Sequence, residues 1–377
     1  MNLYEQLRAD MAENSEFWNC DEPDFVELFQ NEDAVRGFIF RFLKKHVGEA
    51  VTEHLYQHEY KEQAMKNAHT VYVFFLGAMF RNIFDDELAI ESKVVKPYTF
   101  AYLWSLISMG HDIGYLYEMN SRRFRAIPEC WHSVYFKNVI NINNNIRLPW
   151  YRSHGLYIYY TVPGISRHKV NGNCCLISCE FECERPIVFS NQTVLKRYRY
   201  SNRMKDDFFR YQWNENGILD HGIVGADVLY SGLLEWYILN YRKSNKIFQS
   251  FENEWGEHFC CEQLNIYIYI ANCVAGHNIG IATDRKWAKG KMSYKEDPLL
   301  FLLCIADIIE PSKRLKDFTA EEIFKGIAIH YNKDRRKLFV EVSSYIAEVS
   351  YGKLYMQDIL RLSEYCEIRI FVQVKTP

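Results

Sequence analysis

An apolar run that ends in an adjacent histidine and aspartate restricts the possible fold of this chain most strongly. The stretch from Phe100 to Glu118 reads FAYLWSLISMGHDIGYLYE, and its first half is apolar enough to form a buried helix. His111 and Asp112 stand where this run gives way to Gly-rich, more polar sequence. An imidazole and a carboxylate at a helix end can both turn toward one metal ion. We therefore expect further ligands elsewhere in the chain.

Candidate ligands recur in other apolar helical segments. Together they form an ordered series: His69, His111, Asp112, His221, His277 and Asp307. His69 begins an apolar stripe with steps of four, three and four residues, which predicts that its side chain faces the interior. Asp307 lies within LLFLLCIADIIEP, where a metal ion would remove the cost of burying an unpaired carboxylate. Imidazoles and carboxylates are the ligands expected for iron, manganese, zinc or a magnesium substitute.

The order of these residues resembles that of the HD-domain superfamily of metal-dependent phosphohydrolases. AHTVYVFFLGAMF resembles the first ligand helix of that family, ISMGHDIGY its signature, and DHGIVGADVLY the additional-histidine helix of binuclear members. IADIIEPSKR is similar to a segment of the bacterial HD hydrolases that split diadenosine tetraphosphate symmetrically. The resemblance covers roughly residues 60 to 125 and 216 to 315.

The resemblance implies an all-α core in which several helices project ligands into one pocket. In that arrangement His69, His111, Asp112 and Asp307 hold one divalent ion, and Asp112 bridges to a second ion held by His221 and His277. The ions would be Fe, Mn, Mg, Ni, Co or Zn. Two such ions activate a water for in-line attack on a phosphoryl group, with Asp112 and His111 as the catalytic residues. The implied substrate is a nucleotide or another small phosphate ester or anhydride.

Cations close to the ligands in sequence are candidates for contacts with substrate phosphates. Lys313 and Arg314 lie at the IEPxR part of the resemblance, with Arg314 as the candidate contact, and Lys286 and Lys291 lie in the loop before the last ligand. A solvated charge run would explain these two lysines equally well. The chain also departs from the family: Tyr115 stands where many members carry a lysine, and Asn278 stands where nuclease-like members have a second adjacent histidine.

Residue patterns, together with what the resemblance implies for the core, divide the chain into four parts and predict a mainly α fold. We expect N-terminal helices at 1–59, an HD-type helical core at 60–120 and 216–317, a β-rich insertion at 121–215, and a small α+β unit at 318–377. Aromatic, β-branched and turn residues predict the strands of the insertion. Between Ser121 and Trp213 it carries fifteen Lys and Arg against six Asp and Glu, whereas the whole chain has a net charge of -3.

Local patterns predict several element boundaries. A helix is expected from Val35 to His54, another from about Tyr60 to Phe84, and the helix that carries Asp307 should end at Pro311. Thr319 and Glu322 form a candidate capping box. The last strand should place Ile368, Ile370, Val372 and Val374 on one face.

The remaining sequence features favour a cytoplasmic enzyme without a membrane span. The N-terminus has early acidic residues and no apolar core, and the longest apolar runs are too short to cross a bilayer. Eleven cysteines without a small-scaffold spacing fit reduced thiols. Walker A, dinucleotide-binding and GxSxG patterns are absent from the sequence. No pattern in the sequence predicts the oligomeric state.

Three other functions stay open at this point. A metal-dependent nuclease would use the same site on single-stranded nucleic acid, and the basic insertion favours it. A di-iron oxygenase would use the ligands to bind oxygen. A catalytically inactive sensor or scaffold would keep the HD fold alone.

Overall fold

The fold is described from a computed structural model of the chain. It describes residues 1–18, 22–55, 68–88, 99–117, 119–120, 165–170, 174–179, 187–190, 218–222, 225–226, 229, 233, 236, 240, 251–252, 258–259, 261–278, 291–294, 297–312, 314–315 and 317–375. These residues are mainly helical, as the sequence predicts. Within these ranges, every helix is too short or too polar to cross a membrane.

The chain forms two compact units. The first comprises Met1–Asp112, His277–Arg285 and Gly290–Pro377, and the second comprises Ile113–Gly276 and Lys286–Lys289. The bounds of the second unit enclose those of the predicted insertion, 121–215. All the predicted metal ligands except His221 belong to the first unit.

The described helices and strands have the following bounds. The helices are α1 (Leu3–Glu13), α2 (Ser15–Trp18), α3 (Glu22–Glu27), α4 (Glu32–His46), α5 (Glu49–Leu55), α6 (Ala68–Leu88), α7 (Phe100–Gly110), α8 (Cys261–Gly276), α9 (Pro298–Ile309), α10 (Ala320–Lys325), α11 (Ser344–Ala347) and α12 (Ser350–Tyr365), with a 3₁₀ helix at Ile113–Tyr117. The strands are β1 (Met119–Asn120), β2 (Ile165–Val170), β3 (Cys174–Cys179), β4 (Ile187–Ser190), β5 (Ile218–Leu219), β6 (Phe251–Glu252), β7 (His258–Phe259), β8 (Ile327–Asn332), β9 (Lys337–Ser343) and β10 (Arg369–Lys375).

The N-terminal helices start and stop at readable local signals. α1 begins at a capping box, in which the Asn2 side chain accepts from the Glu5 N–H and the Glu5 carboxylate accepts from the Asn2 N–H. The prediction of one helix from Val35 to His54 is wrong. Instead, α4 ends at His46 and α5 begins at Glu49. Gly48 lies between them, and its φ of 120° is in a region that favours glycine.

Apolar helices form the centre of the first unit. α6 packs against both α7 and α9. Every residue of α9 is buried, so this helix is covered all round rather than on one face. The Trp104 indole of α7 donates from Nε1 to the Phe74 carbonyl oxygen at 2.9 Å. Gly77 of α6 makes room for this ring, because a Cβ there would stand 1.8 Å from Trp104 Cζ2.

The C-terminal part of the first unit combines a sheet with helices. Its strands have the order β10–β9–β8, with β8 antiparallel and β10 parallel to β9. The parallel pair needs a crossover, which α12 supplies on the way from β9 to β10. The predicted capping box at Thr319 and Glu322 is confirmed at the start of α10. Along β10, Ile370 is buried and Val374 exposed, so the burial of their shared face declines toward the end of the strand.

The second unit contains short sheets. β2, β3 and β4 form an antiparallel sheet within 121–215, whereas β1 pairs with β5 and β6 pairs with β7. Most of the predicted insertion lies outside the described residues. The 3₁₀ helix at Ile113–Tyr117 and the helical residues that follow Asp220 also belong to this unit.

Candidate metal centre

His69 lies at the start of α6 and faces the interior. Its side chain is 1% exposed, and the residues that continue the predicted stripe, Val73, Leu76 and Phe80, are buried as well. The predicted orientation of this histidine is therefore confirmed. A buried imidazole needs polar partners for its ring nitrogens, since burial without them is costly.

His111 and Asp112 follow directly after α7 ends at Gly110. Both side chains are buried. His111 donates from Nδ1 to the Ser108 carbonyl oxygen at 2.6 Å. A carbonyl oxygen only accepts, so this bond places a proton on Nδ1 and leaves Nε2 as the atom that can bind a cation. The end of α7 thus sets the tautomer of His111.

Two carboxylates from the end of α9 flank the His69 ring. Asp307 Oδ1 lies 2.9 Å from His69 Nε2, and Glu310 Oε2 accepts from His69 Nδ1. Glu310 is fully buried, and its other oxygen accepts from the Ser312 N–H at 2.9 Å. Glu310 is absent from the predicted ligand series. The sequence feature that points to Glu310 is its position three residues after Asp307, because this spacing places both carboxylates on the same side of the helix.

Donor atoms of four buried residues lie close together here: Nε2 of His69, Nε2 of His111, Oδ1 of Asp307 and the two carboxylate oxygens of Asp112. The His69 nitrogen lies 3.5 Å from the His111 nitrogen and 3.7 Å from Asp112 Oδ2. The His111 nitrogen lies 3.4 Å from Asp112 Oδ1 and 3.7 Å from Asp307 Oδ1. Ligands about 2.1 Å from a cation stand about 3.0 Å apart along octahedral edges and about 3.4 Å apart along tetrahedral edges. The observed separations bracket these values, so the donors fit one metal ion.

The electrostatics of the pocket also fit a cation. Burial by itself lowers the pKa of His69, because the imidazolium loses its hydration. The charge of Glu310, the hydrogen bonds to Asp307 and Glu310, and the charge of Asp112 outweigh burial and raise the pKa of His69 to about 9. Without a metal ion, a proton on His69 thus compensates the carboxylates. A divalent cation would replace that proton and supply the same compensation.

Asp112 also lies near His277, another predicted ligand of the first unit. A carboxylate oxygen of Asp112 and a ring nitrogen of His277 lie within 4.8 Å of each other. His277 is fully buried, and its ring stands edge-on to that of His111 with centroids 5.2 Å apart. The Cys304 thiol donates to the His277 carbonyl oxygen at 3.3 Å. The Asp112 carboxylate therefore lies near His277 as well as near His69 and His111.

His221 belongs to the second unit, where its ring stacks on Tyr115. The ring centroids are 3.7 Å apart and the planes differ by 17°. Gly114 permits this close approach, since a Cβ there would stand 1.8 Å from the His221 carbonyl oxygen. Asp220 accepts from the Gly222 N–H at 2.9 Å, which stabilises the start of the helix that carries His221. His221 is buried, whereas Tyr115 is exposed.

The three cations predicted to contact phosphate differ in their placement. Arg314 donates from Nε to Asp358 Oδ2 of α12 at 3.0 Å and is largely buried. Lys291 is exposed. Lys286 lies outside the described residues. Contacts of these cations with phosphate stay a prediction, and Arg314 in addition joins α12 to the segment after α9.

Two imidazoles and two carboxylates in a buried pocket form a donor set for a divalent cation. The atoms offered by His69, His111 and Asp307 all lie within 4.8 Å of one another. A cation held by such donors acts as a Lewis acid when a coordination position is left for the substrate.

Comparisons with protein-family models, with curated proteins and with solved structures find no match for this chain.

Proposed function

We propose that this chain is a metal-dependent phosphohydrolase of the HD type. One divalent ion would be held by His69, His111, Asp112 and Asp307, and a second by Asp112, His221 and His277. The observation that supports this proposal is the buried cluster of His69, His111 and Asp307 donor atoms in the first unit, 2.9 to 3.7 Å apart, with an Asp112 oxygen 3.4 Å from the His111 nitrogen and the other 3.7 Å from the His69 nitrogen. The participation of His221 rests on the residue order shared with the HD superfamily. The substrate would be a nucleotide or another small phosphate ester or anhydride.

The protein holds the donor atoms in a defined protonation state and orientation. Glu310 and the Ser108 carbonyl oxygen each accept from a histidine Nδ1, so that Nε2 is the coordinating atom in both rings. Asp112 and Asp307 contribute the negative charge that favours a cation over neutral ligands. Burial of these donors strengthens their electrostatic interactions by lowering the effective dielectric constant. Divalent ions, when bound, polarise phosphoryl oxygens and lower the pKa of bound water toward neutrality.

Metal-dependent hydrolysis by the full chain tests this proposal. Protein treated with EDTA and reloaded separately with Mn, Fe, Mg, Ni, Co or Zn should hydrolyse a member of a panel of nucleotides and dinucleotide polyphosphates. His111→Ala and Asp307→Ala should lose both the bound metal and the turnover. The control Glu348→Gln, at an exposed position of the first unit, should keep both. Intact substrates with every metal, or full turnover in the two ligand variants, would contradict the proposal.

A nuclease is a second candidate, because residues 121–213 of the predicted insertion carry fifteen Lys and Arg against six Asp and Glu. Such an enzyme would use the same donors on a polymer, with the insertion binding phosphates. Its binding and cutting of single-stranded nucleic acid would weaken steeply as the salt concentration rises. Cleavage of oligonucleotides with no hydrolysis of mononucleotides and dinucleotide polyphosphates would favour the nuclease over the small-molecule enzyme.

A further inference from the structure

The outward face of the C-terminal sheet places three ring side chains in one row across its strands. His330 on β8 stands opposite Phe339 on β9, and Phe339 stands opposite Phe371 on β10. The two phenylalanine rings stack, with centroids 5.3 Å apart and planes that differ by 20°. Phe371 is 38% exposed and the His330 side chain 51%. Part of the aromatic surface of this ring row is therefore exposed to solvent on a hydrogen-bonded sheet.

Positive charge lies beside the ring row, one register step away. Lys337 on β9 stands opposite Arg369 on β10, and Arg369 is exposed. The Lys337 ammonium lies 5.0 Å from the centroid of the Phe371 ring, within the range of a cation–π interaction. Lys337 and Arg369 together give this side of the ring row a positive charge that attracts anions.

The opposite side of the ring row carries a carboxylate that already has partners. Glu341 accepts from Gln373 Nε2 at 2.7 Å, and its other oxygen lies 3.8 Å from His330 Nε2. The two sides of the row therefore differ in charge: Lys337 and Arg369 lie next to the row on one side, whereas Glu341 lies next to it on the other, with Lys375 one register step further away. A polyanion with planar groups would place its charges along Lys337 and Arg369 and its planar groups over the rings.

We propose that this sheet face binds single-stranded nucleic acid. Bases would stack on the ring row formed by His330, Phe339 and Phe371, because every base presents a π face, and phosphates would lie along Lys337 and Arg369. Aromatic side chains on a sheet commonly stack about two or three bases. A duplex is a poorer ligand, since its bases already stack on each other. None of these residues is a predicted metal ligand, so this binding does not depend on the proposed phosphohydrolase activity.

Fluorescence anisotropy with the full chain tests this surface. The probes are 5′-fluorescein oligo(dT) and oligo(U) of about 12 nucleotides, which lies within the usual site size of single-strand binding surfaces. EDTA is present so that no metal-dependent cleavage shortens the probe. Phe371→Ala should raise the dissociation constant about 10-fold, the effect of losing one base stack. Arg369→Glu should weaken binding and reduce the slope of log K against log salt by about 0.7, the value for one phosphate contact on a single strand.

Matched variants separate binding from folding. Phe371→Tyr keeps the ring and should bind as the wild type does. Tyr351→Ala and Lys353→Glu remove an exposed ring and an exposed charge from α12 and should leave binding unchanged. The stacked phenylalanines also stabilise the strand pair, so the melting temperature of each variant is measured alongside. If Phe371→Ala melts early, Arg369→Glu decides, because its side chain is exposed.

Three results would overturn the inference. The first is no binding of either probe at low salt. The second is binding that Phe371→Ala and Arg369→Glu leave unchanged, as expected when the basic insertion alone holds the strand. The third is equal affinity for a duplex of the same length.

Discussion

Replacement of Glu310 by glutamine tests the buried carboxylate behind His69. Glu310 is fully buried, and its two oxygens accept from His69 Nδ1 and from the Ser312 N–H. Glutamine has the same shape but only one acceptor oxygen and no charge, so it cannot serve both donors. A hydrogen bond to a charged group contributes about 1.5 to 3 kcal/mol, against about 0.5 to 1.5 kcal/mol for a neutral one. We therefore expect the metal dissociation constant to rise about 10-fold in Glu310→Gln.

Two measurements check the expected loss of metal affinity. Isothermal titration of EDTA-treated protein with Mn²⁺ gives the dissociation constant directly. At a free metal concentration about 100 times the wild-type dissociation constant, binding stabilises the folded state by about 2.7 kcal/mol, and a tenfold weaker site does so by about 1.4 kcal/mol. Glu348→Gln is the matched control, since it removes the same charge from an exposed position. An unchanged dissociation constant for Glu310→Gln, or an equal rise for the control, would refute this role of Glu310.

The remaining predictions concern stability. Gly114→Ala should strongly destabilise the second unit, because its Cβ would stand 1.8 Å from the His221 carbonyl oxygen. Gly37→Ala is the control, since a Cβ there would meet only the far end of an arginine side chain. Equal melting temperatures for the two variants would contradict this prediction. Thr319→Ala should cost about 1 kcal/mol in chemical denaturation through loss of the capping box; no change would mean that the cap contributes nothing. Burial lowers the pKa of His46 in the folded state. The neutral form of His46 therefore stabilises the fold above the unfolded pKa of about 6.5. This contribution is lost as the pH falls through the lower folded pKa. His46→Gln should therefore lose less stability than the wild type between about pH 7 and pH 5, and an identical loss would contradict the reasoning.

Features that depend on near neighbours in sequence could be predicted. The capping box at Thr319 and the inward orientation of His69 both depend on interactions within a few helical turns. The break at Gly48 was missed because the apolar stripe continues through Val47, which is buried. Its signal was nevertheless present, since a glycine followed at once by Glu49 is typical of one helix ending and the next beginning.

Partners from distant parts of the chain could not be predicted. Arg314 matches a motif beside a ligand, and this match places it near the pocket in sequence only. Its observed partner is Asp358, which is 44 residues away. The ring row of the C-terminal sheet also brings together residues that are far apart in sequence. Phe339 and Phe371 are neighbours only because β9 and β10 pair in parallel, with the α12 crossover between them. Strand periodicity gives the face of each residue but not its cross-strand neighbour.

The helix α12 holds the segment that directly follows Asp307, the proposed metal ligand of α9. The Tyr355 hydroxyl donates to the Ile309 carbonyl oxygen at 2.7 Å, and both residues are buried. Three residues later in α12, Asp358 accepts from Arg314 at 3.0 Å. In sequence, residues 318–377 are distinguished from the ligand helices by the alternating pattern of their strands. In the structure, however, α12 and α9 lie within the same compact unit.

Glu310 stands between these two points of attachment in the chain. It follows Ile309 directly and precedes Arg314 by four residues. Its carboxylate is also the group that orients His69 through Nδ1. The contacts of α12 with Ile309 and Arg314 thus hold the segment from which Glu310 binds His69. The C-terminal helix therefore supports the proposed metal centre although it provides none of the predicted ligands.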